Sequence, residues 1–345
     1  QAAYLIGCQR TGEAIVIDPE RDIDRYLNLA RSQNLRIVAV AETHIHADFL
    51  SGARELAEQT GAEVFVSGEG GEAWTPRWKD MRRGGSSYRM RFLRDGDTFS
   101  IGGIDFRAIH TPGHTPEHLC YLVTDRGGGA DQPMGVLSGD FIFVGDVGRP
   151  DLLESAVGQA GAAAESARDL FHSIERTRAM PEHLQVWPAH GAGSACGKAL
   201  GAVPQSTIGY ENRFNPALRE RVESAFIRRI LEGQPEPPLY FARMKTLNRD
   251  GAPLLGELPA PKREHSVERI GDAQVLDLRP WPQFRDGHVR GAVWAPLTAS
   301  FATVAGSYLD PERPVALIAE EREIGEAVRR LVRVGIDRVE AWVAT

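Results

Sequence analysis

Histidine and aspartate residues recur in four short motifs, and each motif follows an apolar segment that is typical of a buried strand. The motifs are THIHAD at residues 43–48, TPGHTPEH at 111–118, SGD at 138–140 and PAHG at 188–191. Imidazole and carboxylate groups at neighbouring strand ends are a common way for a rigid scaffold to present ligands to a metal. One histidine at a strand end is more often a hydrogen-bonded or surface residue, but four such motifs make coincidence a poor explanation. The sequence therefore predicts a metal centre.

The composition restricts the class of protein. The chain has 345 residues, 42% hydrophobic and 25% charged, which is typical of a soluble globular protein of about two domains. No apolar run reaches the ~18 residues of a membrane helix and no secretory signal is visible, so we expect no membrane partner. The net charge of −7 and the lack of basic runs interleaved with aromatic residues argue against a nucleic-acid partner. The three cysteines match no disulfide or zinc-ribbon spacing, which predicts a cytoplasmic protein.

Residues 1–231 are predicted to form a mixed α/β domain in which short strands alternate with amphipathic helices. The clearest segments are strands at 14–18 and 36–42 and helices at 51–60, 162–177 and 216–231. Each metal motif then lies in a turn after a strand, where the scaffold can hold its side chains.

The rest of the chain is predicted to form a linker and a second, smaller α/β unit. Residues 232–263 contain six prolines, which is typical of a segment between domains. Residues 264–345 alternate strands and helices, which favours a small parallel sheet. The segments are strands at 274–278, 315–318 and 339–343 and a helix at 324–334.

The order of motifs HxHxD, TPGHT, SGD and PAH resembles the metallo-β-lactamase superfamily over residues 1 to about 230. That resemblance implies an αββα sandwich with its metals in a cleft at one edge of the two sheets. Within the superfamily, residues 43–48, 138–140 and 145–152 are most similar to persulfide dioxygenases, glyoxalase II enzymes and their rhodanese-fused relatives.

One departure from the family pattern concerns the number of metal ions. The pattern is HxHxDH, and the position of the last histidine is Phe49 here. In two-metal members this histidine and the neighbouring aspartate belong to the second metal site, together with the histidine of PAH. A phenylalanine ring has no lone pair to donate, so a second site would keep only Asp48, His190 and a shared Asp140. We therefore expect a single metal ion per chain.

The resemblance to persulfide dioxygenases implies one Fe(II) held by His44, His114 and Asp140. Two imidazoles and one carboxylate with open positions suit non-haem Fe(II) and O₂ chemistry. The same resemblance leaves His46 as a fourth ligand or a hydrogen-bonding neighbour. Asp48 and His190 are expected to orient a bound water or the ligating imidazoles.

Three functions remain open on the sequence alone. The favoured one is an Fe(II)-dependent dioxygenase that oxidises a thiol persulfide to sulfite and free thiol. The second is a zinc-dependent thioester hydrolase of the glyoxalase II type, and the third is a sulfur-binding module without catalytic activity. The expected partner is a small-molecule thiol persulfide or thioester in the first two cases.

The substrate side of the site is predicted from the residues that follow PAH. Relatives that use glutathione carry Asp-Tyr after this histidine, whereas this chain has Gly191-Ala192, which argues against glutathione itself. Lys198, Tyr210 and Arg213 are the candidate substrate-binding residues. Cys196 is a candidate sulfur-handling thiol, although a single cysteine is more often an inert filler.

Residues 275–292 resemble the opening of a rhodanese domain. In active rhodaneses, the strand corresponding to residues 315–318 is followed at once by a catalytic cysteine, and that position is Ala319 here. No cysteine follows Cys196, and glutamates at 320 and 321 would repel an anionic substrate. The resemblance therefore implies an inactive rhodanese-like domain with a role in packing, homo-oligomer formation or docking.

Overall fold

The computed structural model describes residues 1–155, 158, 161–198 and 200–345. Among the helices in these ranges, none is long and apolar enough to cross a membrane. The described strands form three sheets, of which two are stacked and the third belongs to the C-terminal unit.

The first sheet has five strands in the order β1-β2-β3-β4-β5. They are Tyr4–Cys8 (β1), Glu13–Ile17 (β2), Arg36–Ala41 (β3), Glu63–Ser67 (β4) and Met90–Leu93 (β5). β1 and β2 form an antiparallel hairpin, and the other pairs are parallel. Parallel neighbours need long crossovers, which here contain the helices α1 (Asp24–Ser32) and α2 (Ala53–Thr60). Both helices pack their apolar faces on the outer side of this sheet.

The second sheet has six strands in the order β11-β10-β9-β8-β7-β6. They are Thr98–Ile101 (β6), Ile104–His110 (β7), Leu119–Asp125 (β8), Gly135–Gly139 (β9), Gln185–Pro188 (β10) and Ser206–Thr207 (β11). The helices that follow are Leu152–Ser155 (α3), Ala162–Thr177 (α4), Ile208–Phe214 (α5), Pro216–Arg219 (α6) and Glu223–Leu231 (α7). Apolar residues of α4 and α7 cover the outer face of the sheet.

The two sheets face each other across one apolar core. Phe65 of β4 stacks on Phe99 of β6 with ring centroids 4.0 Å apart, and Phe106 of β7 continues the stack. Ile15 and Tyr121 belong to the same buried cluster. The layer order is thus helix, sheet, sheet, helix, which confirms the αββα arrangement expected for residues 1–231.

The prediction of a single helix at 216–231 is wrong in one detail, because the chain forms two helices there, α6 and α7. Asn215 caps the first through its side chain, and the backbone becomes extended at Glu220. The guanidinium of Arg178 donates hydrogen bonds to the carbonyl oxygens of Leu218 and Glu220. These bonds satisfy carbonyl groups that the helix leaves unpaired, so the interruption costs little.

The segment 232–263 also contains a helix that the sequence analysis missed, Phe241–Asp250 (α8). The third sheet then has the order β12-β16-β15-β13-β14, with all neighbours parallel, as the sequence predicts. Its strands are Lys262–Glu264 (β12), Gln274–Asp277 (β13), Val293–Trp294 (β14), Val315–Ala319 (β15) and Val339–Ala344 (β16). Its helices are Trp281–Asp286 (α9), Phe301–Tyr308 (α10) and Glu321–Arg333 (α11), and short 3-10 turns lie at Glu72–Trp74 and Val267–Arg269.

The C-terminal unit packs against the sandwich through buried ion pairs. The guanidinium of Arg21 is 2% exposed and lies 2.6 Å from a carboxylate oxygen of Asp337. Arg333 of α11 pairs with Asp22 at 2.7 Å, and Leu50 joins the apolar core of the C-terminal unit. A buried arginine left without its carboxylate would be costly, so these pairs hold the two units in one arrangement.

Candidate metal centre

The four motifs meet at one edge of the stacked sheets. Residues 43–48 follow β3, and residues 111–118 follow β7. Residues 138–140 lie at the end of β9, and residues 188–191 begin at the last residue of β10. Ligand atoms of His44, His114 and Asp140 all lie within 4.8 Å of one another, and the three residues are buried. The structure therefore brings together the three side chains that the sequence analysis selected as metal ligands.

Hydrogen bonds determine which nitrogen of His44 faces this group. Its Nδ1 lies 2.9 Å from Oγ1 of Thr43, and that hydroxyl donates to Oδ2 of Asp18 at 2.8 Å. Because the hydroxyl proton is already used, Nδ1 is the protonated nitrogen and the lone pair is on Nε2. Burial, together with the charge of His46, lowers the pKa of His44 well below its ordinary value. A neutral ring with a free Nε2 is the form that binds a metal.

His114 is oriented by the loop that follows Asp140. Its Nδ1 donates to the carbonyl oxygen of Arg149 at 2.9 Å, which leaves the lone pair on Nε2. The buried guanidinium of Arg149 forms two hydrogen bonds of 2.8 and 2.6 Å with Asp151. Gly148 allows the loop to approach, because an added Cβ would lie 1.8 Å from the carbonyl oxygen of Asp140.

Asp140 shows most directly that the site suits a cation. Both of its carboxylate oxygens are buried, and neither has a hydrogen-bond partner among the described residues. Nε2 of His114 and Nε2 of His190 each lie 3.4 Å from one of these oxygens, without the alignment of a hydrogen bond. Burial alone would raise the pKa of Asp140, but these histidines outweigh it and hold the pKa well below its ordinary value. A buried carboxylate of this kind is costly unless a cation neutralises it.

His118 supports Asp140 without joining the ligand group. Its Nε2 accepts a hydrogen bond from the backbone N–H of Asp140 at 3.1 Å, and its Nδ1 lies 2.9 Å from Oγ1 of Thr111. Burial, together with the charge of His114, lowers the pKa of His118 to about 3. The ring is therefore neutral, as an accepting Nε2 requires.

His46 belongs to a second buried group, with Asp18 and Glu42. Its Nε2 lies 2.8 Å from Oε2 of Glu42 and 3.2 Å from Oδ1 of Asp18. Burial opposes a charge on His46, but the two carboxylates outweigh it and raise the pKa of His46 well above its ordinary value. Burial raises the pKa of Glu42 to about 7. Of the two roles open for His46, these contacts favour that of a hydrogen-bonding neighbour. Its buried Nδ1 has no partner in the described chain.

A third group combines Asp48, His190 and Cys196 beside the ligands. Nε2 of His190 lies 3.3 Å from Oδ2 of Asp48, and the thiol of Cys196 is buried. Burial, followed by the charges of Asp140 and Asp48, raises the pKa of that thiol well above its ordinary value. Phe49 is buried next to this group, and its ring centroid lies 4.4 Å from that of His46 in a tilted contact. A histidine at this position would bring another nitrogen.

Residues from the segment after the sandwich hold the loop that carries the first motif. The side-chain amide of Asn248 in α8 donates to the carbonyl oxygens of His46 and Phe49, at 2.8 Å each. The hydroxyl of Tyr240 donates to the carbonyl oxygen of Asp48 at 3.0 Å. The segment predicted as a linker therefore fixes the backbone of the metal motif.

The three predicted substrate-binding residues do not come to the metal centre. The ammonium of Lys198 donates to the carbonyl oxygens of Arg229 and Glu232 on the surface. Tyr210 and Arg213 lie on α5, with exposed fractions of 55% for Tyr210 and 64% for the Arg213 side chain. None of the three lines the cleft beside Asp48 and His190 described below.

The sequence analysis missed the functions of Asp18 and Glu42 and did not place Cys196 with Asp48. Asp18 follows β2 and Glu42 follows β3, so both are charged residues at the end of an apolar strand, as the predicted ligands are. That signal was available. Asp18 also has a φ of +51°, an uncommon backbone conformation for a residue other than glycine, which is frequent at functional sites.

Comparisons with known proteins agree with the fold. The sequence model of the metallo-beta-lactamase superfamily matches residues 1–190, which is more than half of the chain. The chain therefore belongs to the metallo-beta-lactamase superfamily, whose members are metal-dependent hydrolases or related enzymes.

Among solved structures, the chain is similar to a metallo-beta-lactamase from Staphylococcus aureus, with a TM-score of 0.87 and 38% identity. That similarity covers 100% of this chain and 95% of the other, so it includes the C-terminal unit. The chain is also similar to ETHE1 from Myxococcus xanthus, with a TM-score of 0.55 and 26% identity over 74% of this chain and 94% of the other.

Two curated relatives carry names that mention hydrolysis. One is the probable polyketide biosynthesis zinc-dependent hydrolase BaeB of Bacillus velezensis, 27% identical over 60% of this chain and 80% of that protein. The other is the hydroxyacylglutathione hydrolase of Rhodospirillum rubrum, 29% identical over 54% of this chain and 60% of that protein.

Proposed function

We propose that the protein is a mononuclear Fe(II)-dependent persulfide dioxygenase that converts a small-molecule thiol persulfide into sulfite and the free thiol. The observation that carries the proposal is the buried group of His44, His114 and Asp140, in which both carboxylate oxygens lack partners within the described chain. Two imidazoles and one carboxylate leave positions open for two reactants, as Fe(II) and O₂ chemistry requires. Phe49, in place of a further histidine, supports a single ion.

The overall reaction is RSSH + O₂ + H₂O → RSH + SO₃²⁻ + 2H⁺. The terminal sulfur is oxidised, dioxygen is reduced, the S–S bond breaks and water supplies one oxygen atom of sulfite. When bound, the iron supplies Lewis acidity and a template for the reactants. The chain provides His190 and Asp48 beside this position, 3.3 Å apart. In this proposal they hold the water molecule and accept the protons that it releases.

A zinc-dependent thioester hydrolase is the second candidate. The similarity to the zinc-dependent hydrolase BaeB and to hydroxyacylglutathione hydrolase favours it. The group of Asp48, His190 and Cys196 also offers donor atoms beside the first site, which a two-metal hydrolase could use. The two candidates differ in metal, in the need for O₂ and in the bond that is broken.

We further propose that the C-terminal unit is a rhodanese-like domain without sulfurtransferase activity. Ala319 lies fully buried at the end of β15, where the resemblance places the nucleophile. Glu320 then caps α11, in a capping box with Glu323. An alanine has no sulfur to carry a persulfide, and glutamates at the start of the helix would repel anions.

The deciding experiment loads the protein with Fe(II) or Zn²⁺ after anaerobic purification. Oxygen uptake and sulfite release are measured with several thiol persulfides, and hydrolysis is measured with acyl thioesters. We expect O₂ uptake by the iron form. His114→Gln should abolish metal binding, whereas the control His172→Gln, at a histidine whose side chain is 60% exposed, should not.

His190→Ala should lower turnover more than metal content, because we place it beside the reactants and not among the ligands; outer groups of this kind typically contribute ~10–100-fold. Hydrolysis by the zinc form, with no O₂ uptake by the iron form on any persulfide, would establish the hydrolase instead.

A further inference from the structure

A cleft of about 460 Å³ lies between the group of Asp48, His190 and Cys196 and the C-terminal unit. Residues 191–195 also line it. The volume is within the usual range for small-molecule sites, roughly 300–1,000 Å³. It exceeds what a persulfide group alone needs, so the cleft has room for the carrier to which the sulfur is attached.

The middle of the cleft is lined by aromatic and small side chains. Phe49, Tyr240 and Phe241 provide apolar surface, and Ala299 and Ala302 are small side chains before and within α10. These residues come from the end of the first motif, from the start of α8 and from the C-terminal unit. The cleft is therefore complete only when the sandwich and the C-terminal unit are packed together.

The outer wall is one face of α11, formed by Glu326, Arg330 and Arg333. These residues are spaced by four and three positions, so they lie on the same side of the helix. Arg333 is engaged by the sandwich, because its Nε and Nη2 both donate to the carboxylate of Asp22.

Arg330 differs from Arg333 because some of its N–H groups remain available to a ligand. Its Nε donates to Glu326 at 2.7 Å and its Nη1 to the carbonyl oxygen of Thr298 at 2.9 Å. Its Nη2 has no acceptor within the part of the chain that the structure describes. The side chain is 31% exposed and lines the cleft. The two protein contacts orient the planar guanidinium, so that the remaining N–H groups can bind an anion with little loss of side-chain entropy.

We propose that this cleft binds the carrier part of the thiol substrate and that Arg330 binds a carboxylate on that carrier. The inference rests on the proposed function only for the nature of the reacting sulfur. A carboxylate matches the geometry of a guanidinium edge. Glu326 beside it can accept a hydrogen bond from an ammonium group. The substrate class is thus a persulfide of an amino-acid or short-peptide thiol. The C-terminal unit, which carries no thiol in its described sheet, then serves as the specificity wall of the site.

The test measures binding of thiols without turnover. Isothermal titration calorimetry of the anaerobic, metal-loaded full chain compares L-cysteine with cysteamine, which has the same thiol and amine but no carboxylate. We expect cysteine to bind about tenfold more tightly, since a charged hydrogen bond contributes roughly that factor. Arg330→Met should remove the difference, and Arg330→Lys should restore part of it. The control is Arg322→Met, in the same helix, because the Arg322 side chain is 82% exposed and lies outside the cleft.

Equal binding of cysteine and cysteamine by the unmodified protein would overturn the inference, and this comparison does not depend on whether a variant folds. An unchanged preference in a folded Arg330→Met variant would overturn it as well. With cysteine persulfide, Arg330→Met should raise KM about tenfold and change kcat little, because in this proposal the guanidinium binds the carrier and not the reacting sulfur. Failure of O₂ uptake would refute the dioxygenase but not the thiol-binding result. O₂ uptake with no carboxylate preference would refute only the inference about Arg330.

Discussion

Asp18 connects both histidines of the first motif, and its replacement is the sharpest test of how the metal centre is held. Its carboxylate accepts hydrogen bonds from the backbone N–H of Thr43 at 2.7 Å and from the Thr43 hydroxyl at 2.8 Å. It also lies 3.2 Å from Nε2 of His46. The hydroxyl in turn fixes the ring of His44. A change at Asp18 should therefore reach the metal through a residue that does not touch it.

The substitution Asp18→Asn keeps the shape but replaces one accepting oxygen with a donor. The residue is 2% exposed, so water cannot restore the lost interactions. Breaking a buried charged network by removing one partner usually costs ~3–5 kcal/mol, and we expect a loss of about 3 kcal/mol in the free energy of unfolding. Freed from Thr43, the ring of His44 can rotate, and metal affinity should fall ~10–100-fold, as is usual for groups that orient a ligand.

The assays are urea unfolding and competition for the metal with a chelator. Asp337→Asn is the matched control, because Asp337 also pairs with a buried arginine, Arg21, but lies in the C-terminal unit. The control should lose stability and keep its metal affinity. If Asp18→Asn is destabilised but binds the metal within about twofold of the unmodified protein, well short of the ~10-fold minimum expected, the orientation argument is refuted.

Two further substitutions test the loop and the number of metal ions. Gly148→Ala would place a Cβ 1.8 Å from the carbonyl oxygen of Asp140, so the loop must move; we expect a loss of ~1–3 kcal/mol and weaker metal binding by the same two assays. Phe49→His adds an imidazole beside Asp48 and His190 and should raise the metal content from one ion per chain toward two, measured by elemental analysis. An unmodified protein that already binds two ions tightly would contradict the argument from Phe49.

The meeting of the four motifs was predictable from sequence because each motif has a local signal. His44, His114, Asp140 and His190 each follow an apolar strand, and the strands of a two-layer sandwich deliver such residues to one edge. The alternation of strands and helices in residues 1–231 and the parallel C-terminal sheet follow from the spacing of apolar residues in the same way. The order of the layers was implied by the resemblance to the metallo-β-lactamase superfamily. The need for glycine at position 148 could not be predicted, because it arises from the close approach of the carbonyl oxygen of Asp140 in the folded chain.

The residues that line the cleft were not predictable in this way. Lys198, Tyr210 and Arg213 are close in sequence to His190, but the chain turns them to the surface. Arg330 is remote in sequence and reaches the cleft only because α11 packs against the sandwich.

The amino-acid sequence by itself determined the metal-binding chemistry, since ligand types and strand periodicity are properties of short segments. Only the tertiary structure decided which charged groups surround that chemistry. Asp18, after β2, accepts a hydrogen bond from Thr43, after the neighbouring β3. Asn248 of α8 holds the backbone of the first motif, and Arg330 of the C-terminal unit lines the cleft. The physical reason is that these polar groups form hydrogen bonds and ion pairs with residues that are distant in the chain. The sequence of one segment does not show which distant residue will be its partner.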